Sequence, residues 1–409
     1  MDFKKTVLPN GLTIVAEANA AAASLAIGFF VRTGSRDESP EIAGVSHFLE
    51  HMVFKGTPRR TALQVNFDFD QIGAEYNAFT SEENTVYYGA CLPEFQNRLL
   101  DVLADILRPS LRQEDFDLEK NVILEEIALY EDQPKFRVYE KLMMSHFAGH
   151  PLGHSILGTN ATIGALNRTQ MQDYFDRRYS PGNVTLVGVG KLDWDAFVAQ
   201  AQEMCSSWRS VDVGRQTPPA PAARSRQMIV DPKLARFHIG MMSDAPTAQD
   251  PARYAAELAA AILGDDTGSR LFYSLVDTAT ADDASLAYDA FDGTGGFLTF
   301  ISADPHQARR AADIAMDEFR RFRDGGPTDD ELTAAKNKIA ASATLKGELP
   351  MGRLREVGSE WVYRLDYTPL AEQIRILLAV TKDEVMDVAR RYDVASISLL
   401  ALGPNDVLG

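Results

Sequence analysis

Five residues near the start of the chain, His47-Phe48-Leu49-Glu50-His51, put two imidazoles and a carboxylate close together. If the segment is helical, His47 and His51 at i, i+4 share a face with Cβ atoms about 5–6 Å apart. Two imidazoles so spaced can both reach one zinc ion at about 2.0–2.1 Å. Glu50 lies three residues from His47 on the same side. It is poorly placed to be a ligand beside both histidines, but it can hold the attacking water. Phe48, Leu49, Met52, Val53 and Phe54 make this helix apolar, so the three polar groups would be buried at a cost of several kcal/mol unless compensated. A metal ion compensates. The alternative is an ordinary helix whose two histidines and glutamate face solvent.

A catalytic zinc needs a third protein ligand and an open position. The run Asp115-Phe116-Asp117-Leu118-Glu119-Lys120-Asn121-Val122-Ile123-Leu124-Glu125-Glu126-Ile127 supplies candidates. Leu118, Val122 and Ile123 mark its expected core side. Glu119 and Glu126, seven apart, share one face over two turns, whereas Glu125 points elsewhere. Glu126 as ligand, with Glu119 as a carboxylate supporting one of the ligands, is the coherent choice. A solvated acidic stripe is the other reading.

These residues need elements to hold them, and the chain reads as two similar halves. Strands are expected at 12–16 and 25–31 in the first half and at 227–230 and 237–242 in the second. The Ala-rich stretch 18–30 reads as a second buried strand. A helix ends at glycine in each half, at Gly56 and at Gly264. Further strands follow at 85–90 and 296–301, and then long helices over 113–132 and from Thr328 to about Lys346. Thr328 followed by Glu331 has the pattern of a capping box. Laying Glu119-Lys120-Asn121 over Ala335-Lys336-Asn337 puts Glu119 opposite Ala335 and Glu126 opposite Ser342. The acids and histidines stand only in the first half.

A length of 409 residues exceeds one compact core, which stops growing at roughly 250–300 residues. The expected fold is α+β: two similar domains, each a mostly antiparallel or mixed sheet packed with helices. Residues 1–214 form the first domain, a proline-rich linker covers 215–226, and 227–409 form the second, without the metal motif. No apolar run approaches the roughly 20 residues of a membrane span, and the N-terminus lacks a signal-peptide core. Two cysteines, Cys91 and Cys205, are too few for a disulfide framework and suggest a reducing compartment. The bacterial cytoplasm is the expected location, with an organelle matrix after removal of a targeting segment as the other. A net charge of −17 argues against nucleic acid. It either solubilises the surface or, lining a cavity, favours basic peptides.

The stretch His47 to Thr57 resembles the metal helix of the pitrilysin and mitochondrial processing peptidase family, whose zincin motif is inverted. Asn77-Ala78-Phe79-Thr80-Ser81 with Thr85-Val86-Tyr87-Tyr88 is similar to that family's active-site edge strand. Val122-Ile123-Leu124-Glu125-Glu126 matches the setting of its third ligand. His150-Pro151-Leu152-Gly153, Ile156-Leu157-Gly158-Thr159 and Tyr179-Ser180-Pro181-Gly182-Asn183 are further family-like stretches. In the second half the likeness is weaker and rests on Gly268-Ser269-Arg270-Leu271-Phe272 and Leu286-Ala287-Tyr288. The resemblance implies one zinc per chain bound by His47, His51 and Glu126, and Glu50 as general base. It implies that Asn77, Ala78, Phe79 and Thr80 pair with a peptide substrate as an added strand, with Tyr288 also touching substrate. It further implies a clam-like pair of chains enclosing unfolded peptides.

One position departs from the family pattern. Many relatives carry an arginine seven residues before the tyrosine of Leu-Ala-Tyr; here that residue is Ala281, and counting from Arg270 lands on Val276. A second, related subunit supplying an Arg/Tyr pair is therefore expected, making a heterodimer with this chain as the zinc subunit; a homodimer is the alternative. Two other functions compete with a zinc endopeptidase: a non-catalytic structural subunit of the same fold, as in respiratory-complex core proteins, and a zinc-bearing peptide scaffold. His146, His150 and His154 have helical spacing, but Pro151 and Gly153 break the helix, so a second metal site is not expected. Cys91 and Met143-Met144 read as packing residues.

Overall fold

A computed structural model describes residues 2–218, 220 and 223–406. Pro219, Pro221 and Ala222 of the proline-rich segment lie outside the described residues. In chain order the first half holds strands β1 (Asp2–Val7), β2 (Thr13–Ala18) and β3 (Leu25–Val31), then helices α1 (Val45–Val53) and α2 (Ala62–Gln71). Strands β4 (Glu75–Thr80) and β5 (Thr85–Cys91) follow, then α3 (Gln96–Ile106), α4 (Gln113–Glu131), α5 (Pro134–His146), α6 (Asn160–Ala165) and α7 (Arg168–Arg178). Strand β6 (Val184–Gly190) and helix α8 (Trp194–Cys205) close this half.

The second half begins with β7 (Arg226–Val230), β8 (Phe237–Asp244) and α9 (Arg253–Gly264). Then come β9 (Asp283–Phe291), β10 (Thr294–Ala303), α10 (Ala308–Gly325) and α11 (Asp329–Gly347). It ends with α12 (Pro350–Arg364), α13 (Leu370–Ala379), α14 (Lys382–Arg391) and β11 (Ser398–Gly403). The expected capping box is present. Thr328 Oγ1 accepts from the Glu331 N–H at 3.1 Å, and the Glu331 carboxylate accepts from the Thr328 N–H at 2.7 Å.

The two sheets share one plan. The first runs β1-β2-β6-β3-β5-β4, with β2 and β6 parallel and the other pairs antiparallel. The second runs β7-β11-β8-β10-β9, again with one parallel pair, β7 and β11. Apart from the extra edge strand β1, the orders match strand for strand. The overlay of the long helices also holds in burial. Both helices are 19 residues long, and Phe116 and Glu119 are buried in α4 where Leu332 and Ala335 are buried in α11.

The chain forms two compact units that do not coincide with its halves. One comprises the chain up to Ala128, His154–Gln216 and Lys346–Tyr367; the other holds Leu129–Gly153, Thr217–Leu345 and everything from Thr368. The divide near residue 216 falls within the expected linker, but each unit also takes a helix from the other half. In the first unit α12 covers one face of the sheet, with Leu354, Val357, Trp361 and Val362 packed on Val15, Phe30, Val86 and Val187. Gly358 lets it come close: a Cβ there would sit 2.1 Å from the Phe30 ring. Arg353 is fixed to Glu17 at 2.7 Å, both fully buried, and the Tyr367 hydroxyl donates to the same carboxylate at 2.6 Å. In the second unit α5 plays the matching part, with Val138 and Leu142 packed among Met242, Leu400 and Leu402.

The stretch 18–30 is not one strand, since β2 ends at Ala18 and β3 starts at Leu25. Among the described residues no helix is long and apolar enough to cross a membrane.

Candidate active site

Helix α1 is held at its start and along its buried face before any chemistry is considered. Gly44, at φ 93°, turns the chain into the helix, a conformation that favours glycine. The buried Glu38 carboxylate accepts from the N–H groups of Gly44 and Ser46 at 2.6 and 2.7 Å, capping the helix start. Burial pushes that carboxyl up to about 8, against the pull of these hydrogen bonds. Phe48, Leu49, Met52 and Val53 are buried, and the Phe48 ring stacks on Phe116 of α4 with centroids 4.8 Å apart. That stack joins the two helices that carry the polar residues.

The structure brings His47, His51 and Glu126 together: one ligand atom from each lies within 4.8 Å of the others. Glu126 Oε2 is 3.7 Å from His47 Nε2 and 3.5 Å from His51 Nε2. These gaps are too long for hydrogen bonds. They match a tetrahedral ion, because ligands at about 2.0–2.2 Å from one centre sit about 3.4 Å apart. Glu126 Oε2 is moreover buried with no hydrogen-bond partner among the described residues. An orphaned carboxylate oxygen facing two imidazole nitrogens fits a cation between them.

The surroundings divide the histidines into two kinds. His51 Nδ1 is 2.9 Å from Glu119 Oε1, and Lys55 Nζ is 2.5 Å from Glu119 Oε2. That contact fixes the ring and leaves Nε2 toward Glu126. His47 Nδ1 has no such partner among the described residues. Burial, helped by neighbouring His51, drops His47 to about 3, so its ring is neutral. Burial also opposes charge on His51, but the bond to Glu119 and the nearby Glu126 and Glu50 carboxylates prevail and raise it. Burial would raise Glu119, yet His51 and Lys55 hold it below the ordinary range. Glu126 is raised by burial despite His51. Glu50 is likewise raised by burial, and the hydroxyl of Thr80 donates to its Oε2 at 2.6 Å.

Strand β4 ends the sheet order, so its outer edge has no strand partner among the described residues. Side chains alternate along it: Glu75, Asn77 and Phe79 are exposed, while Tyr76, Ala78 and Thr80 are half-buried. The N–H of Ala78 donates to the amide oxygen of its own neighbour Asn77 at 2.8 Å. Asn77 and Ala78 line a cavity of about 360 Å³ together with Glu50, His51, Phe54 and Lys55. Phe79 turns away, toward the Tyr88 ring. Thr80, expected only to lie along a substrate, has its side chain committed to Glu50. Tyr288 belongs to the other unit, on β9, where its hydroxyl donates to the Pro246 carbonyl at 2.8 Å. Ala281 is buried there, and burial pushes the Tyr288 hydroxyl up against the opposing charge of nearby Arg253.

Two expectations about α4 part company. Ile123 is buried, but Leu118 is 69% and Val122 48% exposed, so the core side is Phe116, Glu119, Ile123 and Ile127. An i, i+4 apolar pair marks a core stripe only where another element covers it. Lys55 and Thr80 as partners of the site residues were not anticipated. Lys55 could have been found from its place four residues beyond His51, but Thr80 meets Glu50 only through the sheet's folding. The three spaced histidines separate: His146 faces Ser398, His150 the Pro218 carbonyl and His154 the Ser35 carbonyl. Cys91 and Cys205 are buried and free, and burial pushes each thiol up to about 12.

The profile of the insulinase family (peptidase family M16) matches residues 13–160, and that of the peptidase M16 inactive domain matches residues 165–339. A protein of Streptomyces coelicolor named as an uncharacterized zinc protease is 30% identical, over 98% of this chain and 89% of that one. A Bacillus subtilis protein with the same description is 30% identical over 98% of both chains. Among solved structures, a protease from Helicobacter pylori superposes with a TM-score of 0.91 at 19% identity, over 98% of this chain and 99% of that one. A Pseudomonas fluorescens structure described as a peptidase M16 inactive domain also gives 0.91, at 18% identity, over 99% and 98%.

Proposed function

The chain belongs to the insulinase family of peptidases, family M16, and from that premise we propose that it is a zinc-dependent endopeptidase for unfolded peptides. The observation that carries this reading is the unpaired Glu126 Oε2, buried and set at metal-spanning distance from the Nε2 atoms of His47 and His51. Those three residues would hold the ion. Zinc there would supply Lewis acidity, polarising a substrate carbonyl and bringing the pKa of water from 15.7 toward about 7.

The remaining work falls to the chain's own groups. Glu50 takes a proton from the attacking water on its carboxylate and passes it to the leaving amide nitrogen. Burial raises its affinity for that proton, which suits a group that must both accept and return it. Thr80 fixes the orientation of the carboxylate. Glu119, steadied by Lys55, keeps the proton of His51 on Nδ1 and so leaves Nε2 free to bind. The open edge of β4 offers backbone groups to an extended peptide, and its side chains need only fit the adjoining cavity. Recognition of that kind selects extended, unfolded chains with little sequence preference.

A non-catalytic role is the second reading, favoured by the likeness to a structure described as an inactive domain. Glu50→Gln separates the two. On a mixed peptide digest with and without chelator, the variant should keep its zinc by metal analysis and lose cleavage by about 10²–10⁴-fold. Cleavage at the parent rate defeats the mechanism. The reading extends to a related partner chain that supplies an arginine and tyrosine pair, because Ala281 stands where many relatives have the arginine. Sedimentation with peptide assays checks this; full activity of the chain alone removes the need for a partner.

A further inference from the structure

A second cavity, of about 400 Å³, opens in the first unit where the chain past α3 meets α7 and the segment after α8. Arg108 is its central group. The guanidinium lies 3.7 Å from the centroid of the Trp208 ring and 5.5 Å from that of Phe175. Its Nη1 donates to the Leu107 carbonyl at 2.7 Å and its Nη2 to the Tyr179 carbonyl at 3.1 Å. A guanidinium has five N–H donors, so up to three remain. Among the described residues Arg108 pairs with no carboxylate.

Other charges along the cavity do not supply the missing counter-ion. Asp105 is engaged by the Thr57 hydroxyl at 2.7 Å and by Arg60 at 2.8 Å. Arg59, also on the lining, is held by Asp101 at 3.0 Å. Asp176 is exposed and accepts from Gln172 at 2.9 Å. Arg209 at the mouth is exposed and has no partner among the described residues. With Arg59 and Asp105 already paired, Arg108 and Arg209 are left facing the single carboxylate of Asp176, in a chain whose net charge is −17. Burial pulls the Arg108 guanidinium down to about 10, and nearby Asp176 offsets that only in part.

We propose that this cavity is a binding site for a small molecule bearing one oxyanion, a carboxylate or a phosphate, which Arg108 grips and Arg209 draws in. Water can fill the remaining hydrogen bonds but cannot neutralise the charge; a planar fork of N–H groups is matched by two oxygens of one anion. The volume exceeds that of the anion alone, and Phe175, Met204 and Trp208 give the rest of the molecule an apolar wall. None of these residues belongs to the metal cluster, so the proposal stands whether or not the peptidase reading does.

Trp208, stacked on Arg108, reports directly on the site. The full chain is titrated at low ionic strength with inorganic phosphate and, separately, with acetate, following tryptophan fluorescence. A saturable change is expected with at least one of them, and the tighter of the two identifies the headgroup. Arg209→Glu, an exposed change that leaves the fold intact, should weaken it about fivefold or more, and added salt should narrow the difference. Arg108→Met, where it folds, should abolish it. No saturation up to about 50 mM of either anion, or saturation that Arg209→Glu leaves unchanged, overturns the proposal.

Discussion

The two units are built on the same strand order, yet only one carries polar groups in its helices at the matching places. In the first, α1 presents two histidines and a glutamate, and α4 adds Glu119 and Glu126. In the second, α9 buries mainly alanine, leucine and isoleucine, and α11 has Ala335 and Ser342 at the corresponding positions. Glu119 and Ala335 are almost equally covered, 4% and 6% exposed. The fold therefore tolerates a methyl group where the first unit keeps a carboxylate. Retaining buried charge where an apolar residue folds as well costs stability, a cost that the proposed zinc chemistry would account for in the first unit alone.

That contrast can be broken or sharpened by substitution. The largest effect is expected from Glu126→Ala, which removes one of three candidate ligands: zinc content after dialysis should fall to near zero and peptide cleavage with it. Zinc retained at full occupancy would end the assignment. Glu119→Ala makes the first unit imitate the second and should weaken zinc binding by about 10–100-fold, read by competition with a chromogenic chelator. The reverse exchange, Ala335→Glu, should leave zinc untouched and lower unfolding free energy by about 1–3 kcal/mol, read by denaturant titration. If it were neutral, the unequal distribution of acids would carry no functional meaning.

The smallest effect concerns pH and the cap of α1, where Glu38 is buried; at the start of α9 the half-buried Asp250 takes a similar place, accepting from the Ala252 N–H at 2.9 Å. Glu38 is raised from 4.5 to about 8 on folding. Between those values the folded chain holds a proton that the unfolded chain has lost. Stability contributed by this group is thus fully present below about 4.5 and is lost as pH rises through about 8. Metal-free protein should melt at a lower temperature as pH climbs through that window, and Glu38→Gln should flatten the slope.

How far the sequence reached depended on the distance over which each feature acts. The spacing of the paired histidines and the Thr328 capping box are local patterns set by helical repeat, whereas Glu126 reaches the histidines only through the packing of α4 on α1. The duplicated α+β plan could be read from repeated strands and from the overlay of two long helices. Leu118 and Val122 misled because periodicity shows a stripe but not what covers it. The transfer of α5 and α12 between units left no local trace: Arg353 and Glu17 lie 336 positions apart. The contact of Thr80 with Glu50 and the uncompensated Arg108 depend likewise on tertiary packing.

The crossed placement of α5 and α12 makes the proline-rich segment a misleading place to dissect the chain. A fragment ending near residue 214 would keep its sheet but lack the cover over Phe30 and leave Glu17 stripped of Arg353. The complementary fragment would lose the helix that shields Leu400 and Leu402. Each piece would lack the helix that covers its sheet, and after a single proteolytic nick at the midpoint that cover would still come from the other fragment.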